Sequence, residues 1–373
     1  MIKTISVERY FFNVSNDFLR TDSFILLNSL ASGLPPKKVS QTMSKLIQLE
    51  SKLGIDLISK QLKTKLETAS KTCAEVLVGK EENFFLCSGS MSVSYYLDFI
   101  LTSISGKKVL YSLDEKNPLL DILKRNAEKH NLSLEQLVCK SDNTLNLHQI
   151  EAQCKKTVGL IIIEHINKKS AVINPVEQIG KIARKKKIHL FLDGSFSIGH
   201  IPLKLTKIKP NYFIANCQYY LGGPHESYVC YHSKLKKTSL KKEIQNNQII
   251  QVGTLAALTH YKNQNQKLIE EMIHYYANLI RHQLGKIPKV QIAPVHKNTA
   301  NHIAFTIEGI NTENMYQSLI KNSDKPPIYL ELYKSEKKEE SCLIAAPNYF
   351  VTEQEIDVFY QQIKSFCFRL KED

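Results

Sequence analysis

Residues 191–202, with the sequence FLDGSFSIGHIP, decide the fold of this chain. They begin inside an apolar stretch, residues 189–193, that predicts a buried strand. This strand ends in an aspartate, and a Gly-Ser turn follows it. Residues 211–224, NYFIANCQYYLGGP, repeat the arrangement, with a strand predicted at 212–215. Ligands of an open parallel sheet collect at the carboxyl ends of its strands. The polar residues that follow each strand are therefore where a functional site is expected.

The same alternation of strands and helices extends outward from this stretch in both directions. Short apolar runs predict strands at 84–87, 108–111, 158–164, 189–193, 212–215 and 228–231. Helical spacing of apolar residues, or a proline at a first helical position, predicts helices at 39–47, 58–78, 92–102, 118–130 and 175–187. Continuous apolar strands separated by helices are typical of a mostly parallel sheet that is covered on both faces. We therefore predict an α/β fold.

The last third of the chain has a different pattern. A long amphipathic stretch covers residues 255–284, two short strands are predicted at 302–306 and 343–345, and a final helix at 352–370. Thr352 and Glu355 form a capping box at the start of that helix. We expect four parts: residues 1–38 packing on the small domain, a large domain at 39–251, connecting helices at 252–298, and a small α+β domain at 299–373.

The composition is that of an ordinary globular protein of 373 residues, with 43% hydrophobic and 23% charged residues. Its apolar runs are too short to cross a bilayer, and its N-terminus has no apolar signal-peptide core. The eight cysteines are scattered without a Cys-x-x-Cys pair, which favours free thiols and argues against a zinc site. We therefore expect a cytoplasmic protein without a metal.

The formal net charge is +14, and two clusters of basic residues stand out. They comprise Lys181, Arg184, Lys185, Lys186 and Lys187 in the first, and Lys234, Lys236, Lys237, Lys241 and Lys242 in the second. Such clusters can bind nucleic acid or an acidic partner. Because no aromatic residues interleave them and no nucleic-acid motif accompanies them, solvated helix faces are the better interpretation. Nucleic acid is therefore not expected as a partner.

Four stretches resemble sequence signatures of the class V aminotransferases, a family that includes cysteine desulfurases and isopenicillin N epimerase-like proteins. Residues 191–202 resemble its DGAQxxGHxP motif, and residues 211–224 its DFxxxNxHKWLxxP motif. Residues 174–179, NPVEQI, are similar to PVEEI, and residues 352–357, TEQEID, to NTEEEID. The resemblance implies the PLP-dependent transferase fold type I, where PLP is pyridoxal 5′-phosphate. That fold has a large domain with a mostly parallel, seven-stranded-type sheet and a small C-terminal α+β domain.

The resemblance also implies positions for the cofactor. Asp193 matches the aspartate that keeps the pyridinium nitrogen protonated, so that the ring can act as an electron sink. Residues 88–92, SGSMS, match the turn that binds the phosphate at a helix N-terminus. Residues 253–254 resemble a loop that reaches the phosphate from the neighbouring subunit. Asn167 either touches the ring oxygen or is an asparagine of a surface turn. The candidate cofactor-binding residues are Gly89, Ser90, Met91, Asn167, Asp193, Phe196, Asn216, Gln218, Tyr219, Gly253 and Thr254.

The chain departs from the family pattern at the residues that carry the chemistry. Tyr219 stands where the family has the lysine that binds PLP covalently, and Gln218 replaces the preceding histidine. Phe196 replaces the glutamine after the ring aspartate, Ile344 replaces the substrate-carboxylate arginine, and the residue that stacks on the ring is replaced near residues 116–117. A phenol cannot form a Schiff base, and with a pKa of about 10 it is a poor base at neutral pH. PLP, if it binds, is then held non-covalently, or the protein holds no cofactor.

Three functions are compatible with this sequence. The first is a catalytically inactive relative with a binding or assembly role, as a homodimer or in a mixed dimer with an active homologue. The second is a PLP-binding enzyme of the epimerase, lyase or aminotransferase type that acts on an amino-acid-like substrate. In that enzyme Tyr219, His165 or His225 moves the proton, or Lys116 supplies the amine. The third is a protein that binds a partner through its basic surface.

Overall fold

The eight predicted strands are present in the predicted order along the chain. Five further strands were not predicted, namely Ile25–Leu26, Ser133–Gln136, Val290–Ile292, Ile328–Tyr329 and Glu331–Tyr333. The computed structural model of the protein describes residues 16–19, 23–140, 144–235, 240–244, 247–295, 298–321, 325–336 and 341–369. Its strands are β1 (Ile25–Leu26), β2 (Phe84–Ser88), β3 (Lys108–Ser112), β4 (Ser133–Gln136), β5 (Val158–Glu164), β6 (His189–Asp193), β7 (Tyr212–Asn216), β8 (Ser227–His232), β9 (Val290–Ile292), β10 (Ile303–Ile307), β11 (Ile328–Tyr329), β12 (Glu331–Tyr333) and β13 (Cys342–Ala345).

Seven of these strands form the central sheet, in the order β2-β8-β7-β6-β5-β3-β4. β8 runs antiparallel to both of its neighbours, and the other pairs are parallel. Every residue of β5 is buried, as its continuous apolar sequence predicts for a strand covered on both faces. The predicted mostly parallel α/β fold is therefore confirmed.

Helices cover this sheet and connect its strands. They are α1 (Lys37–Leu53), α2 (Ile55–Leu66), α3 (Ala69–Leu77), α4 (Ser90–Ser103), α5 (Pro118–Lys129), α6 (Leu147–Gln153), α7 (Val176–Lys185), α8 (Leu205–Ile208), α9 (Leu240–Glu243), α10 (Gln248–Asn263), α11 (Gln266–Leu284), α12 (Thr312–Ile320) and α13 (Glu353–Arg369). Asparagine begins several of them, because its side-chain oxygen accepts hydrogen bonds from backbone N–H groups that have no partner within the helix. These capping residues are Asn117, Asn146, Asn247, Asn265 and Asn311.

Two predicted helices are each divided in two. The helix predicted at 58–78 is interrupted at Glu67 and Thr68, which separate α2 from α3. The long amphipathic stretch at 255–284 is interrupted at Gln264 and Asn265, where the Asn265 side chain caps α11. Apolar spacing continues across both breaks, so it does not reveal them, whereas the capping Asn265 marks the second one.

A second, antiparallel sheet lies in the last third of the chain, with strand order β12-β13-β10-β9. β1 pairs in parallel with β11, and Asn28 bridges to Ala346, so residues 25–28 lie against this part of the fold. The capping box at the start of α13 is confirmed: the Thr352 backbone N–H donates to the Glu355 carboxylate, and the Glu355 N–H donates to Thr352 Oγ1. The domain boundaries at 38, 251 and 298 stay predictions.

The basic clusters lie outside the buried core where they are described. Lys181, Arg184 and residues 185–187 are exposed on and after α7, and Lys185 forms an ion pair with Glu151. Lys234 is exposed, Lys236 and Lys237 lie outside the described residues, and the side chains of Lys241 and Lys242 are not described. Within the described ranges, no helix is long and apolar enough to span a membrane.

Candidate functional site

The carboxyl ends of β5, β6 and β7 lie side by side and bring the predicted polar residues together. Asp193 ends β6 and is 4% exposed. Its Oδ1 accepts hydrogen bonds from the Ser195 backbone N–H at 2.9 Å and from Ser195 Oγ at 2.5 Å. Its Oδ2 accepts a hydrogen bond from Asn117 Nδ2 at 2.9 Å. Burial raises the pKa of Asp193, and these hydrogen bonds act in the opposite direction.

Asn117 joins Asp193 to a second buried carboxylate. Its Nδ2 also donates to Glu164 Oε2 at 3.0 Å, and Asn167 Nδ2 donates to Glu164 Oε1 at 2.7 Å. Burial, and then the nearby Asp114 carboxylate, raise the pKa of Glu164 well above its ordinary value. The two amides therefore hold two carboxylates in one buried network.

The network continues into the antiparallel sheet. Asn167 Nδ2 lies 3.3 Å from Asp114 Oδ2, and the Tyr333 hydroxyl of β12 donates to Asp114 Oδ1 at 3.0 Å. Sequence reasoning marked Asn167 for a different role and missed Asn117, Asp114 and Tyr333. A signal for Asn117 existed, since an asparagine directly before Pro118 is a typical helix cap.

Phe196 and Tyr219 form an aromatic pair in the same site as Asp193. Their rings are stacked, with centroids 5.1 Å apart and an interplanar angle of 23°, and both side chains are buried. Burial, and then the Asp193 carboxylate, raise the pKa of Tyr219 above its ordinary value, so the phenol is neutral at physiological pH.

A cavity of about 30 Å³ lies beside this ring pair. That volume has room for about two water molecules. It is lined by Val93, Asn117, Pro118, Leu119, Ile122, Asp193, Ser195, Phe196, Ile214, Asn216, Tyr219 and Tyr228. The predicted residues Asp193, Phe196, Asn216 and Tyr219 thus meet around one small cavity.

The predicted phosphate turn leads from β2 into α4. Gly89 has a φ of 84°, which favours glycine, and α4 begins at the next residue. The N-cap residue of α4 is Gly89 itself, which has no side chain to accept a hydrogen bond from the first turn. Met91 is 85% exposed. A Cβ placed on Gly89 would lie 3.7 Å from Glu226 Oε2, so a carboxylate lies beside this turn.

Gln218 and Asn216 fix the backbone around the site. Gln218 Nε2 donates to the Ala31 carbonyl at 2.8 Å, and its Oε1 accepts a hydrogen bond from the Glu226 N–H at 3.2 Å. Asn216 Oδ1 accepts a hydrogen bond from the Gln218 N–H at 2.9 Å. Both amides are thus engaged with backbone groups.

Of the three candidate proton-transfer residues, Tyr219 lines the cavity, whereas His165 and His225 do not. His165 is buried, its Nδ1 lies 2.9 Å from Ser197 Oγ, and burial lowers its pKa to about 4. His225 and Lys116 are exposed. Ile344 is fully buried in β13, where it pairs with Ala304 and Glu331.

The predicted loop at Gly253 and Thr254 is wrong, because both residues lie inside α10. A Cβ on Gly253 would meet Pro224 and Met43 within 3 Å, so the helix packs closely here. Thr254 is fully buried, and its Oγ1 donates to the Ile250 carbonyl at 2.7 Å. The apolar residues around them bury one face of a helix and therefore exclude a loop. A role for the two residues in phosphate binding is left as a prediction.

The eight cysteines carry free thiols, and only Cys139 is exposed. Within the part of the chain that the structure describes, no three side chains of the metal-binding types converge on one point.

Comparison with known proteins gives one family. The family model of "Aminotransferase class-V" matches residues 25–225. The cysteine desulfurase IscS of Proteus mirabilis is 31% identical over 104 residues, which are 28% of this chain and 26% of that protein. The chain thus aligns with about a quarter of the length of that curated relative.

Solved structures match over nearly the whole chain. The apo structure of the cysteine desulfurase from Thermococcus onnurineus has a TM-score of 0.81 and 19% identity, covering 95% of this chain and 97% of that one. A C-DES mutant with glycine covalently linked to its PLP cofactor has a TM-score of 0.80 and 15% identity, covering 94% and 98%. At these identities the likeness shows the fold.

Proposed function

This chain belongs to the class V aminotransferase family, and on that premise we propose that it is a non-catalytic member that uses the fold for binding and assembly. The observation that carries the proposal is the place of Tyr219. It lies where the family motif has its lysine, and its ring is stacked on Phe196 inside the site.

The residues around the cavity do not fit PLP. Tyr219 has no amine, and the cavity has room for about two water molecules, which is less space than a pyridine ring with its substituents needs. Asp193 already accepts three hydrogen bonds from Ser195 and Asn117. We therefore derive no reaction step through this cofactor.

Other side chains do not supply the missing chemistry. His165 is neutral over the physiological range because burial lowers its pKa to about 4, and it bonds to Ser197. His225 and Lys116 are exposed, and among the described residues that line the cavity with Tyr219 neither is present. Ile344 offers no charge for a substrate carboxylate.

The outer surface supports a role in assembly. Leu53, Ile55 and Leu57 are 47%, 42% and 69% exposed around the turn between α1 and α2, and Ile47 of α1 is 52% exposed. Exposed apolar side chains that cluster in this way mark contact surfaces. We propose that this α1–α2 corner contacts a second subunit, either another copy of this chain or an active homologue.

A groove lies between α1 and α10. Its volume is about 790 Å³, and its apolar wall comprises Leu46, Leu49, Val252, Leu255 and Ala256. We propose a homodimer, located in the cytoplasm, that buries several thousand Å² as obligate dimers do. Sedimentation velocity of the purified chain at micromolar concentration tests the assembly, and a stable monomer would contradict the homodimer.

An absorption spectrum with added PLP, followed by borohydride reduction and mass spectrometry, tests the loss of catalysis. The purified protein should be colourless, and no residue should carry a reduced PLP adduct. Tyr219→Lys restores an amine but leaves Phe196 and Ile344 in place, so we expect weak labelling at most and no transaminase activity. A reduced adduct on Lys116 of the unmodified protein would contradict the proposal and indicate an enzyme with a relocated lysine.

A further inference from the structure

We infer that the chain's own side chains fill the three positions that a PLP molecule would take in this fold. Phe196 and Tyr219 fill the place of the ring, Asn117 takes the place of the ring N–H donor, and Glu226 takes the place of the phosphate. The inference rests on the proposed loss of lysine chemistry and goes further, because it assigns a structural role to each replacement.

The ring position is filled by an aromatic pair. Phe196 is 3% exposed and Tyr219 is 8% exposed, and a stacked arrangement is a favourable geometry for aromatic rings. The Lys168 ammonium lies 6.0 Å from the Phe196 centroid and pairs with Glu331 of β12. A cation that pairs with β12 of the antiparallel sheet thus lies beside the aromatic pair.

The donor position is filled by Asn117. Its Nδ2 donates to Asp193 Oδ2 at 2.9 Å and to Glu164 Oε2 at 3.0 Å, and its Oδ1 accepts a hydrogen bond from the Leu119 N–H at 3.0 Å. The amide is therefore held from three sides at the first turn of α5. Asp193, which the family directs at a cationic ring nitrogen, is satisfied here by a neutral amide.

The carboxylate of Glu226 lies beside the turn where the resemblance places the phosphate. The Gly89 N–H donates to the Glu226 carbonyl at 2.9 Å, and the Glu226 N–H donates to Gln218 at 3.2 Å, so both sides of this residue are fixed. Glu226 has a φ of 52°, an unfavourable conformation for glutamate that surrounding contacts must hold.

A carboxylate at this place has a clear electrostatic effect. The N-terminus of α4 attracts negative charge through its backbone N–H groups and its dipole. Glu226 supplies that charge from within the chain and repels a phosphate that approaches the same turn. The three replacements together make the site self-contained, so the protein folds without a cofactor.

Binding of inorganic phosphate and of PLP to the full chain, followed by calorimetry and thermal unfolding, tests this inference. The wild-type protein should show no saturable binding of either at millimolar concentration. Glu226→Gln removes the charge at nearly constant shape, so phosphate should raise its melting temperature by several degrees. Glu271→Gln, on α11, is the matched control and should behave like the wild type.

Glu226→Gly provides a second variant that is expected to fold, because glycine suits the positive φ at this position. It should gain phosphate binding as Glu226→Gln does. Phosphate responses that are equal in the wild type and in both variants, whether present or absent, overturn the assignment of Glu226. Saturable non-covalent PLP binding by the wild type would contradict the inference that the chain's own side chains fill the site, which we call the self-filled site. The proposed loss of catalysis would still stand, because only a covalent PLP adduct contradicts it.

Discussion

Two regions of the molecule differ in how completely their side chains are paired or buried. One is the cavity at the ends of β5, β6 and β7, and the other is the α1–α2 corner. At the cavity, Asn117 bonds to two buried carboxylates and the Phe196–Tyr219 pair leaves room for about two waters. At the corner, Leu57 is 69% exposed. Ligand sites are concave and contain polar groups that bind the ligand, whereas clusters of exposed apolar side chains mark sites of contact with another protein. In this chain the unsatisfied surface lies outside the cofactor region, which favours assembly over catalysis.

Acidification is expected to have the largest effect, and it acts on the interior. Burial lowers the pKa of His165, His200 and His232 to about 4. The unfolded chain protonates these residues at about pH 6.5, so stability is lost as the pH falls from there towards 4, by up to about 3 kcal/mol for each. Urea unfolding followed by circular dichroism at both ends of this range measures the loss.

The buried carboxyl groups and the α1–α2 corner are expected to respond to pH differently from the buried histidines. Glu164 and Asp193 have raised pKa values, so their contribution to the free energy of unfolding is present at low pH and is lost as the pH rises. Residues 37–66 contain no histidine, so hydrogen exchange in α1 and α2 should respond less than exchange in β5 and β6. Equal responses in both regions would contradict the difference between them.

Asn117→Ala is expected to have the next largest effect. It removes the donor to Asp193 and Glu164 and should lower the free energy of unfolding by about 3 kcal/mol, because two buried carboxyls lose a partner. Asn126→Ala is the matched control: that amide is also buried but donates only to Ser94, so its loss should cost about 1 kcal/mol. Similar losses for the two variants would mean that the network contributes little beyond an ordinary buried amide.

Charges at the corner should break assembly without unfolding the chain. The double variant Leu53→Glu, Leu57→Glu is expected to weaken subunit association at least tenfold, which is about 1.4 kcal/mol, because it places two carboxylates in an apolar contact. Sedimentation at several concentrations measures the change. Val138→Glu, at a position 43% exposed elsewhere, should leave association unchanged. Dissociation by both variants would show that charge alone, and not this corner, controls assembly.

Tyr219→Phe is expected to have the smallest effect. Its hydroxyl interacts with the Asn216 side chain, and loss of that interaction should change the free energy of unfolding by about 1 kcal/mol or less. The ring and its packing on Phe196 stay in place. Chemical unfolding of the two proteins in parallel measures the difference. A loss of several kcal/mol, or a change in assembly, would give the phenol oxygen a role that the self-filled site does not include.

The sequence predicts this fold well where burial alone decides the structure. β5 and β6 have their predicted bounds, because continuous apolar runs between helices leave little freedom. The position of Asp193 follows from the strand that ends there. The breaks at 67–68 and 264–265 were missed, since apolar spacing passes through them.

The site is less predictable because its contacts join distant residues. Tyr333 and Asp114 are 219 positions apart, and no local pattern connects them. Asn117 belongs to a stretch identified only as a departure from the family, so its place between two carboxylates was not foreseen. The Gly-Thr pair at 253–254 suggested a loop, although buried residues on both sides continue a helix.

The stacked Phe196–Tyr219 pair has an evolutionary consequence. For a chain that has lost its lysine, as we propose, a single reversion meets a barrier. Tyr219→Lys places an ammonium against an aromatic ring in a space of about 30 Å³, and Phe196→Gln opens a gap and leaves an amide to be paired. Each step towards the ancestral chemistry lowers stability before the other steps can reward it. The pair therefore makes a return to lysine chemistry harder to reach by single substitutions than a change at the protein surface.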